Sequence, residues 1–158
     1  MSEEKSTVSR LEEEGDIAAD YLEGLLDIAD LDGDIEIGVE NERASLVVEG
    51  GELAHLVGRD GEVLDAIQEL TRLAVQTSTG ERSRLMLDID GFRADKKSSL
   101  TKLAEETADE VKASGKPIKL APMNAFERKI VHDTIQKIGL TSESEGEDPD
   151  RCVVVMPA

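Results

Sequence analysis

The chain has 158 residues, 39% of them hydrophobic, enough for one core or two small ones. Two Phe, one Tyr and no Trp make any core aliphatic, and the single cysteine, Cys152, excludes an internal disulfide and suits a reducing cytoplasm. A net charge of −18 argues against indiscriminate binding of polyanions, but the acid is unevenly spread. Residues 1–50 hold 16 acids and 3 bases, whereas residues 92–140 hold 7 acids and 10 bases. Nothing at the N-terminus resembles a signal peptide, and no apolar run approaches the roughly 18 residues of a membrane span. With two histidines and one cysteine, no metal site is expected, and no motif asks for a cofactor. The expectation is a soluble, cytoplasmic protein.

Residues 1–9 are polar and read as a disordered N-terminus. From Arg10 to about Ala29 the apolar set Ile17, Ala18, Tyr21, Leu22, Leu25 and Ile28 predicts a helix with acids on its other face. The aspartates of Asp30-Leu31-Asp32-Gly33-Asp34 have the spacing of a calcium loop but lack its terminal glutamate, so a solvated turn is the reading. Ile35, Ile37 and Val39 alternate, and Leu46-Val47-Val48 follows a short polar turn, which predicts a hairpin. A short helix through Leu53–Val57 leads to Gly58-Arg59-Asp60-Gly61. Val63, Leu64, Ile67, Leu70 and Ala74 then mark a longer helix to about Gln76. Leu85, Leu87 and Ile89 predict a third strand, broken by Asp90-Gly91.

A long helix begins near Phe92, with Leu100, Leu103, Ala104, Thr107, Ala108 and Val111 as its stripe and Arg93, Lys96, Lys97 and Lys102 crowding its start. Gly115-Lys116-Pro117 closes it. Ile118–Leu120 reads as a brief strand. Asn124 and Glu127 then fit a capping box opening a helix to about Ile138, with Ile130, Val131, Ile135 and Ile138 inward. A terminal hairpin pairs Thr141–Glu143 with Cys152–Met156, where Cys152 belongs to a buried strand.

Two features carry functional information. The glycines at 58 and 61 let the backbone pass close to a ligand, and the amides opening the following helix suit a phosphate. Arg59 is the cation of that turn, and Asp60 beside it repels the same phosphate. Arg128 and His132 lie four apart on one helix face, next to Lys129. The arginine can grip a phosphate through two nitrogens, and the histidine can donate a hydrogen bond, stack on a base or add charge. No acid pairs with a nucleophile or base in a catalytic pattern, so an enzyme is not expected.

The element order and these motifs together resemble the SpoIIIJ-associated (Jag, KhpB or EloR) family of bacterial RNA-binding proteins. Gly58-Arg59-Asp60-Gly61 is similar to the GxxG loop of KH domains, which clamps about four nucleotides of a single strand. Arg128-Lys129-Ile130-Val131-His132 resembles the motif that names the Arg-x-x-x-His single-strand nucleic-acid-binding domain. The run Gly115-Lys116-Pro117 to Pro122-Met123-Asn124 and the tail Ser144 to Val155 match the family in the same order. The resemblance implies an α+β fold: a type II KH domain (α-β-β-α-α-β) over residues 10–90 and a small α-β-α-β-β domain over residues 91–158. It implies RNA contact through Gly58, Arg59, Asp60, Gly61, Arg128, Lys129 and His132. It also implies post-transcriptional regulation linked to cell elongation and division, with a small KH-domain protein or a second copy as partner. The alternative is a protein-interaction adaptor on a KH scaffold with weakened RNA binding, which the acidic first third and Asp60 favour.

Overall fold

The computed structural model describes the backbone from Ser2 to Ala158 and the side chains from Thr7 onward. It divides into two compact units, Met1–Arg93 and Ala94–Ala158. In the first, helix α1 (Ser2–Ile28) is followed by strands β1 (Asp34–Glu40) and β2 (Arg43–Glu49). The short helix α2 (Ala54–Val57), a single 3₁₀ turn (Arg59–Gly61), helix α3 (Glu62–Thr79) and strand β3 (Met86–Ile89) complete it. The sheet order is β1-β2-β3, with β1 antiparallel and β3 parallel to β2. Asn41 and Glu42, both at positive φ, make the two-residue turn of the β1–β2 hairpin.

Ala44, Leu46 and Val48 of β2 and Leu87 and Ile89 of β3 form the inner face of this sheet. Ala18, Leu22 and Leu26 of α1 and Leu64, Ile67 and Val75 of α3 pack on it. Burying a leucine fully contributes about 1.5–3 kcal/mol, and Leu22, Leu46, Leu53, Leu64, Leu85 and Leu87 are all essentially inaccessible. The inward face of α1 differs from the expected one. Leu11, Ala18, Ala19, Leu22 and Leu26 are buried, whereas Ile28 is 88% exposed. The adjacent Leu25-Leu26 pair sets the phase: Leu26 takes the inward place, and Ile28 in the last turn then faces out. The helix also begins at Ser2, inside the segment expected to be disordered. No glycine or proline interrupts the turns that lead into the buried Leu11. Leu70, expected inward on α3, is 52% exposed, since Gln68 and Thr71 hold the inward positions there.

The second unit takes up helix α4 (Phe92–Ser114) from its third residue, then β4 (Ile118–Lys119), α5 (Ala125–Ile138), β5 (Thr141–Glu145) and β6 (Cys152–Met156). Its sheet order is β4-β6-β5, antiparallel throughout. Leu100, Ala104, Ala108 and Val111 of α4 and Val131 and Ile135 of α5 pack with Val153 and Val155 of β6. Helix α5 opens with a complete capping box: the Glu127 amide donates to Asn124 Oδ1 at 2.9 Å and the Asn124 amide to Glu127 Oε1 at 3.0 Å. Among the described residues, no helix is long and apolar enough to cross a membrane.

Both glycines of the two-glycine turn are fixed by internal packing. Gly58 sits at φ 74°, ψ −171°, a region that only glycine occupies without strain, and a Cβ there would collide with Val63 Cγ2. Gly61, at φ 80°, is buried beneath Phe92, whose ring would meet a Cβ at 2.5 Å. Gly58→Ala is therefore expected to destabilise the fold by about 1–3 kcal/mol, read as a lower urea midpoint. Adding Val63→Ala should relieve only the collision with Cγ2, because Val63 Cβ and N still lie 2.9 and 3.1 Å from the added carbon.

Candidate nucleic-acid interface

The turn between α2 and α3 owes its position to Leu53, Leu56 and Val57, which bury the short helix, and to Leu64 and Ile67, which bury the start of α3. Arg59 and Asp60 are left exposed at its tip. Asp60 adopts a left-handed conformation, φ 53° and ψ 25°, which aspartate tolerates better than most residues. No side chain caps the N-terminus of α3, and the Glu62 amide donates to Arg59 O. The Arg59 guanidinium is thus exposed at the tip, but Asp60 and Glu62 flank it. The charges of the turn do not favour an anion.

The basic start of α4 is less available than its sequence suggests. The Arg93 side chain is 13% exposed; Nε donates to Leu87 O at 2.7 Å and Nη2 to Asp65 Oδ1 at 2.9 Å. Lys96 pairs with Glu127 at 3.0 Å. Lys97 and Lys102 remain exposed.

On α5 the structure brings Arg128 and His132 to the same face and surrounds both with protein partners. Arg128 is 8% exposed. Its Nη1 donates to Met123 O and, at 3.4 Å, to Asp148 Oδ1, while Nε and Nη2 have no hydrogen bond to the described residues. Only part of the guanidinium fork is open. His132 Nδ1 lies 2.6 Å from Ser142 Oγ and Nε2 lies 2.8 Å from Ser144 Oγ. The serines alternate along β5 and so present both hydroxyls to one ring. Burial, then the positive charge of Arg128, holds the His132 imidazole below its ordinary value, with Asp133 opposing. A neutral ring donates from one nitrogen and accepts at the other, and each hydroxyl rotates to match. His132 therefore ties β5 to α5 and does not supply charge near neutral pH. Lys129 is exposed and is the freely presented cation of the three.

Sequence reasoning does not find Met123, Ser142, Ser144 and Asp148 as partners of this face. The signal available is Ser142-Glu143-Ser144, an alternation that puts two hydroxyls on one side of a strand. It also misses Arg72, Arg82 and Arg84, although Arg82-Ser83-Arg84 puts two cations on one side of an extended segment.

The architecture is thus mixed α+β, with its second unit built from two helices on a three-stranded sheet and an Arg-x-x-x-His helix against it. Residues 98–157 match the family of the Arg-x-x-x-His (R-3-H) domain, so this unit contains a domain of that family. The chain as a whole is similar to RNA-binding protein KhpB of Lactiplantibacillus plantarum, 34% identical over 137 residues, which is 86% of this chain and 42% of that protein. It is 32% identical to RNA-binding protein KhpB of Clostridium symbiosum over 89% of this chain and 64% of that one. It is 30% identical to RNA-binding protein KhpB of Bacillus subtilis over 85% of this chain and 66% of that one. The chain therefore spans between 42% and 66% of the length of these curated relatives.

The lowered His132 value has a sign. The unfolded chain takes up the histidine proton at a higher pH than the folded chain does, so unfolding is promoted as pH falls below about 6.5. The contribution of neutral His132 is complete above that pH and is lost on acidification through the folded value. Thermal unfolding followed from above pH 7 to about pH 5.5 should show a fall in Tm that His132→Gln makes shallower.

Proposed function

We propose that this chain is an RNA-binding protein of the SpoIIIJ-associated (KhpB) family, which holds single-stranded RNA through a type II KH domain and an Arg-x-x-x-His domain. The observation that carries this reading is the similarity to RNA-binding protein KhpB over 137 residues, a length that must draw on both units. The order α-β-β-α-α-β of the first unit and the position of Gly58–Gly61 between its two central helices support it. On this reading the backbone amides at the start of α3 and Arg59 receive the strand. Lys129 and the open edge of Arg128 make a second contact, and His132 keeps the α5–β5 face in shape. The setting is the bacterial cytoplasm, in post-transcriptional control linked to cell elongation and division, with a small KH-domain protein or a second copy as partner. Leu70, more than half exposed, offers apolar surface for such pairing.

The second reading, a protein-interaction adaptor, is favoured by the flanking of Arg59 by Asp60 and Glu62 and by the 16 acids of residues 1–50.

Substitution of either glycine cannot separate the readings, because both are required by packing. The tip residues can. Asp60→Asn keeps tolerance of the left-handed backbone and removes the repelling charge, so binding to a single-stranded RNA pool should tighten several-fold at low salt. Arg59→Ala should weaken it by a similar factor, with unchanged Tm for both. Affinity indifferent to both changes would favour the adaptor.

A further inference from the structure

The first unit contains an open cavity of about 660 Å³ between the second half of α3 and the extended segment 81–85. Arg72, Leu73 and Gln76 line it from the helix, and Arg82, Ser83 and Arg84 from the segment. Ser83 is buried, with its Oγ accepting from the Leu85 amide, so the two arginines on either side of it in the chain emerge together. Both are exposed, and neither has a hydrogen bond or ion pair among the described residues. Arg72 behind them is held in place: Nε donates to Leu85 O at 2.8 Å and Nη1 to Glu69 Oε1 at 3.1 Å. Glu69, which also lines the cavity, is paired with Arg72 through that contact. Leu73, 55% exposed, adds an apolar surface beside the guanidinium pair. Two unpaired guanidinium groups facing one cavity stand out in a chain of 36 acids and 18 bases.

We propose that this cavity is a second phosphate-binding site, in which Arg82 and Arg84 take the backbone of single-stranded RNA leaving the Gly58–Gly61 turn. The proposal rests on the RNA-binding reading of the first unit and moves its electrostatic anchor. At the turn, Arg59 is offset by Asp60 and Glu62; at the cavity Glu69 pairs with Arg72 and Glu81, next to Arg82, pairs with Arg10 at 3.5 Å, which leaves Arg82 and Arg84 without an ion-pair partner among the described residues. The spacing is suitable. Arg72 lies eleven residues after Gly61 on α3, about 17 Å along a helix rising 1.5 Å per residue. That is roughly five stacked nucleotides at about 3.4 Å each, just beyond the four or so that a GxxG loop holds. Leu73 and the planar guanidinium groups offer a base a surface to stack on, which needs no particular sequence.

The test uses the full chain, unmodified and as the double variant Arg82→Gln with Arg84→Gln, and two oligouridines of about four and about ten nucleotides. The unmodified chain should bind the longer strand more tightly and with steeper salt dependence. The double variant should bind both strands alike, with the slope of log K against log salt for the longer strand reduced by about 1.4, the value for two single-strand phosphate contacts. Its Tm should be unchanged, since neither side chain has a partner to lose. A double variant that keeps the length advantage and the slope overturns this site and leaves the turn as the binding element. An unmodified chain that binds neither strand overturns the site and the RNA-binding reading together.

Discussion

Arg93 closes the free edge of the first sheet. Strand β3 pairs with β2 on one side only, so its other edge presents bare backbone groups. The Leu87 amide donates to Gln68 Oε1 at 3.0 Å, and Leu87 O accepts from Arg93 Nε. The Arg93 amide in turn donates to Asp88 Oδ1 at 2.8 Å, and its Nη2 reaches both Asp65 and Gln68. One residue thus fixes the register of α3 against β3 and sets where α4 begins. Arg72 repeats the device two residues earlier in the strand direction, at Leu85 O. Because α3 is held to β3 at both places, its start and the turn before it stay where the buried α2 residues put them. The candidate interface therefore depends on an arginine whose side chain is turned to Leu87 O, Asp65 and Gln68.

The same contacts separate two kinds of arginine. Arg72, Arg93 and Arg128 satisfy backbone carbonyls first and carry charge second, whereas Arg59, Arg82 and Arg84 are exposed without partners among the described residues. Sequence position gives no hint of this division. Arg128 belongs to the named motif and is nearly buried, while Arg82 and Arg84 lie in an unremarked segment and are open. A guanidinium's task is decided by which carbonyl the fold brings within reach.

Much of the fold is legible in the sequence because it is written in period and punctuation. Alternation at Ile35–Val39, the glycine stop at Gly115 and the Asn124–Glu127 box each depend on residues close in the chain. What escapes such reading depends on residues far apart. Ile28 and Leu70 belong to apolar stripes whose phase is set by the opposing sheet, and a helix with apolar residues on adjacent positions admits two phases. Spacing presents Arg128 and His132 as a charged pair. The Met123 carbonyl, Asp148, Ser142 and Ser144 that occupy them arrive through α5–β5 packing and the 146–151 loop, which spacing alone does not reveal. The need for glycines at the turn is visible in the sequence, but the reason lies in Val63 and Phe92.

The parallel pairing of β2 with β3 also bears on how the first unit assembles. Ser45 pairs with Met86 and Val48 with Ile89, so their contact closes a loop of roughly forty residues. The β1–β2 hairpin closes over two residues and forms locally. The connection between the second and third strands of the sheet runs through α2, the turn and α3, so this pairing is non-local and carries a larger loop-closure cost than the hairpin. The turn that would meet a ligand thus lies on the connection whose closure completes the sheet.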